Sequence, residues 1–330
     1  MHSALSDLGP LPPAPPGNFL NLDAPEHTRY RTLLTGAFTV RRMRRLTERM
    51  AGICGEYLDA MERAGGPADL MTAFAAPVPA TMICELLGVP AADRDRFRQL
   101  IAGLVTAFND PGAPVDQGFA AVEETQEYMR DLVAAARAEP SDDLLGDLAA
   151  TDLSGSELTG VAVLLLIGGF ETTANMLGLG TFTLLRHPGQ LAALRGEPRL
   201  ADRVVEELMR YLAVVHTTTR SALAEVELAG EVIAAGETVA LSLHAANRDP
   251  GVFPDPDNFD PHRNSAGHLG FGHGIHHCLG RQLARMEMRI ALPALVSRFP
   301  GLRLAVPADD IVLRPDRLGL RGVRQLPVTW

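Results

Sequence analysis

Ten residues near the end of the chain constrain it more than any others: Phe271-Gly272-His273-Gly274-Ile275-His276-His277-Cys278-Leu279-Gly280. The glycines permit a tight turn under a flat ligand, because they accept backbone angles that other residues avoid. The apolar spacing that follows predicts a helix from Leu279 to about Arg298. Cys278 therefore stands where a helix begins, and free N–H groups there point back at its sulfur and favour a thiolate. A thiolate is the ligand with which a haem iron is driven toward O–O cleavage. A lone cysteine is more often a buried structural residue, and only the surrounding glycines argue otherwise. His273, His276 and His277 are close enough to suggest zinc, but no second cysteine stands at the paired spacing that structural zinc sites use. Cys54 and Cys84 lie in amphipathic helical stretches and read as core residues.

The rest of the chain sets the context for that loop. Its net charge of −10 argues against a general nucleic-acid binder. An odd, sparse set of three cysteines is a poor disulfide framework and points to a reducing compartment, the cytoplasm. Met1 to Asn21 lacks a basic start followed by an apolar core, so it does not read as a signal peptide. The apolar run Val161 to Ile167 is far shorter than the ~20 residues that span a bilayer, and no membrane is expected.

Prolines at 10, 12, 13, 15 and 16 make residues 1–22 irregular. Residues 23–212 read as mainly helical, with breaks at Gly65-Gly66-Pro67, Gly88-Val89-Pro90, Asp110-Pro111-Gly112 and Glu139-Pro140-Ser141. Ser141 or Asp142 is placed to cap a short helix, and Ser154 a long one reaching Arg186. Residues 213–330 hold short strands at Val226–Leu228, Val232–Ile233 and Thr238–Leu241, then the cysteine loop and the last helix.

Three further patterns carry chemistry. Glu207 and Arg210 are three apart on one helix face and can pair, which alone is a weak signal. His27 and Arg31 are four apart on another helix. Gly168 and Gly169 sit inside an apolar helix at a cost of about 1 kcal/mol each relative to alanine, so something needs close approach there. Thr172 can bond a carbonyl of the preceding turn and loosen the helix into a groove.

The cysteine loop resembles the cysteine-ligand loop of cytochrome P450 enzymes, and most of the chain from Asp23 onward can be laid along the soluble bacterial members of that family. The resemblance implies a mainly α fold with small β-sheets, a cytochrome P450-like haem-thiolate domain occupying residues 1–330. It implies haem b, with Cys278 on the iron and Phe271, Gly272 and Gly280 in the loop beneath it. His27, Arg31, Arg220 and His276 match positions that bind the haem propionates. Phe259-Asp260-Pro261-His262-Arg263 resembles the segment whose arginine joins the Glu-x-x-Arg pair, so Glu207, Arg210 and Arg263 become a buried brace. Gly168-Gly169-Phe170-Glu171-Thr172 resembles the oxygen-binding stretch, with Glu171 and Thr172 handling protons; the family often has a residue other than Phe at position 170. Val214, Val215, His216 and Leu320, with Gly168 and Gly169, match substrate-pocket positions.

The activity implied is that of a monooxygenase, inserting one oxygen atom from O2 into a small apolar substrate in secondary or xenobiotic metabolism. Electrons would come from NAD(P)H through a ferredoxin reductase and a ferredoxin, with Arg281 and Arg285 in a docking patch. A peroxide-driven peroxygenase and a non-catalytic haem-binding remnant are the alternatives; the Glu171-Thr172 pair favours the O2 route. The chain departs from the family pattern in one respect. His27 comes almost at the start, whereas the family places this helix after several others. The resemblance thus implies an N-terminally truncated fold, without the first helices, two strands and much of the pocket roof; either these are encoded upstream of Met1, which the proline-rich opening favours, or the chain is short with a more open haem pocket. Strands such as Thr238–Leu241 would then keep an unpaired edge.

Overall fold

The apolar run at Val161–Ile167 belongs to a 32-residue helix, Gly155–Arg186, which is the axis of the molecule. The computed structural model describes residues 14–109, 115–314 and 319–330. The expected break at 110–112 and the prolines at 10, 12 and 13 lie outside those residues.

Within the described residues the helices, in chain order, are α1 (Glu26–Ala37), α2 (Val40–Ala64), α3 (Pro77–Leu87), α4 (Arg94–Asn109) and α5 (Val115–Ala138). They continue with α6 (Leu144–Ala149), α7 (Gly155–Arg186), α8 (Pro188–Gly196), α9 (Ala201–Leu212), α10 (Leu243–Ala246) and α11 (Arg281–Arg298). The strands are β1 (Ala68–Asp69), β2 (Thr217–Ser221), β3 (Val226–Leu228), β4 (Glu231–Ile233), β5 (Thr238–Ser242), β6 (Arg303–Leu304) and β7 (Pro327–Thr329). A short 3-10 turn, Phe19–Asn21, lies in the stretch expected to be irregular.

α7 begins where its sequence says it should. Ser154 Oγ accepts from the Glu157 amide at 3.2 Å, and Glu157 returns the bond to the Ser154 amide at 2.7 Å, a complete capping box. The same carboxylate accepts from Tyr30 Oη at 2.8 Å and Arg29 Nη1 at 2.5 Å, so the cap also anchors α1. These bonds, the Ser154 amide first, hold the Glu157 carboxyl at about 2. The cap of α6 differs from expectation: Asp143, not Ser141 or Asp142, accepts from the Gly146 amide at 2.8 Å. Asp143 stands three residues before Gly146, at the position an N-cap requires.

α7 packs against α3, α5, α9 and α11, and α2 packs on α11. One apolar cluster joins these helices, with Leu34, Met50, Phe74, Phe97, Leu158, Leu208 and Leu295 nearly inaccessible. Among the described residues α7 is the helix long and apolar enough to cross a membrane, and 56% of its most apolar stretch is buried within the protein. Judging only the uninterrupted run, the sequence reading overlooked that length. A helix that is apolar on most sides is satisfied when other helices surround it, so its high average hydropathy requires no lipid-facing surface.

Among the described residues the strands form three small antiparallel sheets. β1, β7 and β6 form one, with Ala68 opposite Val328 and Leu304 opposite the same Val328. β2 pairs β5 from Thr217↔Ser242 to Ser221↔Thr238. β3 and β4 form a hairpin closed by Ala229 and Gly230, whose φ values of 54° and 85° are those of a two-residue turn with both centres left-handed. The hairpin and the β2–β5 ribbon each stand as two strands, leaving Val226, Leu228 and Val232 exposed at 48%, 57% and 63%.

Candidate functional site

The cysteine loop turns as its glycines predict. Gly272 and Gly274 have φ of +71° and +75°, values that other residues rarely adopt, and no atom lies within 4 Å of where a Cβ would be built on either. Added methyl groups would therefore stand in the open space beside the loop. The backbone folds back on itself through Cys278 N–H to Phe271 C=O at 2.9 Å and His277 N–H to Gly274 C=O at 3.0 Å. α11 starts at Arg281, with Gly280 as its N-cap, two residues later than expected. The Gly280 amide is the donor that reaches the Cys278 sulfur. Burial pushes this thiol up, and the pull of Gly280, Arg31, Arg281 and Arg285 only partly offsets it. The Gly280 amide acts in the direction expected of a helix start, and a coordinated cation would complete the deprotonation, since metal binding deprotonates a thiol outright.

Beneath the loop stands the brace. Glu207 is inaccessible and accepts from Arg210 Nε and Nη2, both at 2.8 Å, a bidentate pair. It also accepts from Arg263 Nε at 3.3 Å, Ser265 Oγ at 2.6 Å and the Asp260 amide at 3.1 Å. Burial would raise its pKa, but Arg210, Ser265 and the Asp260 amide outweigh it and keep the carboxyl low. Arg210 Nη1 then donates to the carbonyls of Asn247 and Pro256, each at 2.9 Å. The Asn247 side chain accepts from the Leu269 amide at 2.7 Å, two residues before Phe271. Asn247 is thus the link from brace to loop.

Glu206 is a second hub that sequence reading passed over, although it adjoins Glu207. It takes Arg285 Nε and Nη2 at 2.6 and 2.8 Å and sits 3.1 Å from His268 Nε2. Burial raises it, Arg285 and His268 lower it more, and it settles at about 2. Arg285 also lies over the Phe271 ring, 4.4 Å from its centroid. It is therefore committed to the loop's interior side rather than free for docking, and Arg281 donates to the Cys278 carbonyl at 3.1 Å.

At the other side of the loop, His27 and His276 face each other with ring centroids 4.3 Å apart. His27 is buried, and its Nε2 has no partner among the described residues. Burial lowers the pKa of both rings; Arg31 lowers His27 further, and His27 and Arg220 lower His276. Arg31 Nη2 donates to the His277 carbonyl at 2.9 Å, tying α1 to the residue before Cys278. Arg220, exposed on β2, donates to Thr219 C=O at 2.7 Å. His27, Arg31 and His276 thus gather cationic or cationisable groups at one side of the cysteine loop, a site suited to an anion. An orphaned buried ring nitrogen in that cluster and the open, glycine-rich space beside Cys278 fit a haem with its two carboxylates.

The facing side of the site is α7. Thr172 Oγ1 donates to the Gly168 carbonyl at 2.7 Å, as expected, yet the helix runs through without interruption, so no break opens there. Of the two glycines only Gly168 borders open space; a Cβ on Gly169 would stand 2.6 Å from Ile83 Cδ1. The missing Cβ of Gly169 thus serves the packing of α7 on α3. Val215 bridges Leu320, and both are partly exposed, whereas Val214 is 3% exposed and joins the core instead of a pocket wall. His216 is buried, with Nδ1 2.9 Å from Thr217 Oγ1. Glu171 is buried and bonded to Arg314 Nη2 at 2.7 Å, not to Thr172.

Comparison with known proteins agrees with this geometry. The family model described as Cytochrome P450 matches residues 13–304. Cytochrome P450 105C1 of a Streptomyces species is 49% identical over 308 residues, 92% of this chain and 80% of its own length. Pentalenic acid synthase of Streptomyces avermitilis is 46% identical over 320 residues, 94% of this chain and 77% of its own. Among solved structures, a mutant of CYP105P1 superposes with a TM-score of 0.92 at 41% identity, covering 99% of this chain and 84% of that one.

Proposed function

Because the chain belongs to the cytochrome P450 family and is a haem monooxygenase of the kind found in bacterial secondary metabolism, we propose that Cys278 is the iron ligand and that α7 forms the oxygen-side wall. When bound, the haem supplies the activation of O2. The protein's own part is to orient and to move protons. The Gly280 amide and the Arg31–His277 bond fix the sulfur and the peptide before it. His27, Arg31, Arg220 and His276 receive the propionates. Gly168 leaves room on the opposite face, and Thr172, with Glu171 behind it, handles protons there.

We further propose an apolar substrate against Gly168, Val215 and Leu320, electrons from NAD(P)H through a ferredoxin reductase and a ferredoxin, and work in the cytoplasm, where three free cysteines are at home. The observation that carries the reading is the buried His27 ring, its Nε2 without a partner among the described residues, packed 4.3 Å from His276 beside an Arg31 that bonds the His277 carbonyl. A test is haem transfer from the loaded protein to apomyoglobin. His27→Ala is expected to speed release by roughly tenfold or more, since a charge-assisted hydrogen bond is worth about 1.5–3 kcal/mol. An unchanged release rate would count against the propionate assignment.

A further inference from the structure

A single guanidinium ties the acid of α7 to the C-terminal segment. Arg314 Nη2 donates to Glu171 Oε1 at 2.7 Å, and its Nη1 donates to Asn175 Oδ1 at 2.9 Å. Glu171 and Asn175 are four apart and stack one turn over the other on α7, so one planar fork spans both. The socket is built for this. Asn175 is inaccessible, and the Arg314 side chain is 14% exposed, its pKa lowered by burial. The Arg314 amide donates to the Gly322 carbonyl at 2.9 Å, beside the Leu313–Val323 bridge. Any side chain at Gly322 would strike Asn175 Oδ1 and crowd Arg314 Cδ, so glycine there keeps the fork's path open. Burying a guanidinium is costly unless its ion pair and hydrogen bonds repay the lost hydration, which the Glu171 and Asn175 contacts do here.

We propose that Arg314, seated by Asn175 and Gly322, is a positioning residue for the reaction: it holds the Glu171 carboxylate on the protein side of α7 and leaves the Thr172 hydroxyl facing the open side. Resting on the assignment of Glu171 to proton handling, this makes the yield of oxidised product depend on a residue that touches neither substrate nor cofactor. A carboxylate released from Arg314 samples several rotamers, and protons then reach the oxygen side out of step with electrons, which are lost to peroxide.

The test compares haem-loaded wild type with Arg314→Gln, Arg314→Lys, Glu171→Gln and the Arg314→Gln/Glu171→Gln double variant. Product formed per NAD(P)H consumed and urea unfolding are both measured. Arg314→Gln should lower the product ratio by roughly tenfold, the scale on which misplacing an acid–base group is felt. Arg314→Lys should recover part of it, and the double variant should be no worse than Glu171→Gln alone, in product ratio and in unfolding midpoint. Glu171→Gln impaired beside a normal Arg314→Gln would overturn the positioning role while leaving the Glu171 assignment intact. A normal Glu171→Gln would overturn that assignment and this inference with it. Strictly additive losses in the unfolding series would show that the pair is not made in solution and would also overturn the inference.

Discussion

Glu207→Ala is expected to leave little protein able to fold around its haem. Arg210 is inaccessible, and Glu207 supplies both oxygens of its bidentate pair. Removing the carboxylate strands a buried guanidinium, a loss of about 3–5 kcal/mol, against a total stability of about 5–15 kcal/mol for an ordinary domain. The same deletion frees Ser265 Oγ, Arg263 Nε and the Asp260 amide. Those groups fix the segment between the brace and the loop, so the damage reaches Cys278 through Asn247 and Leu269. Glu207→Gln keeps the volume and part of the hydrogen bonding and should fall between. Soluble yield and the urea midpoint of haem-loaded protein measure both; a wild-type midpoint for the alanine variant would refute the brace.

Cys278→Ala should do the opposite: spare the fold and remove the activity. The bonds that shape the loop, Cys278 N–H to Phe271 C=O and Arg31 Nη2 to His277 C=O, do not involve the sulfur. Circular dichroism should therefore match the wild type. Product formation with surrogate ferredoxin and reductase should drop by at least ~10²-fold, modest beside the 10⁶-fold or larger accelerations enzymes reach, because the thiolate's electron push is gone. A variant that kept most of the wild-type rate would mean that another residue ligates the iron.

Local chemistry was legible in the sequence. Ser154 and Glu157 announce a capping box because the motif closes within four residues, and β3 falls where its alternation put it. The same holds for the Gly272 and Gly274 turn and for the Glu207–Arg210 pair. What spacing could not give was direction. Gly168 and Gly169 are adjacent, so they differ by about 100° around the helix, and one opens on the hollow while the other meets Ile83. Asp143 replaced its neighbours as cap because one residue's shift changes which side chain reaches the Gly146 amide.

Long-range partners left no local trace at all. Arg314 lies 143 positions from Glu171, and Arg285 lies 79 from Glu206. No local spacing connects either arginine to its partner. The surroundings of Cys278 divide in the same way: the Gly280 amide follows from the helix start, whereas the burial of the sulfur is tertiary.

Cys278 as the iron's thiolate ligand is the claim on which the rest depends, and one spectrum tests it directly. Haem-loaded protein is reduced and exposed to carbon monoxide. The account predicts a Soret band at the long-wavelength position diagnostic of a thiolate opposite the carbon monoxide. A band at the shorter wavelength of a nitrogen-ligated haem, in protein carrying its full complement of haem, would contradict it.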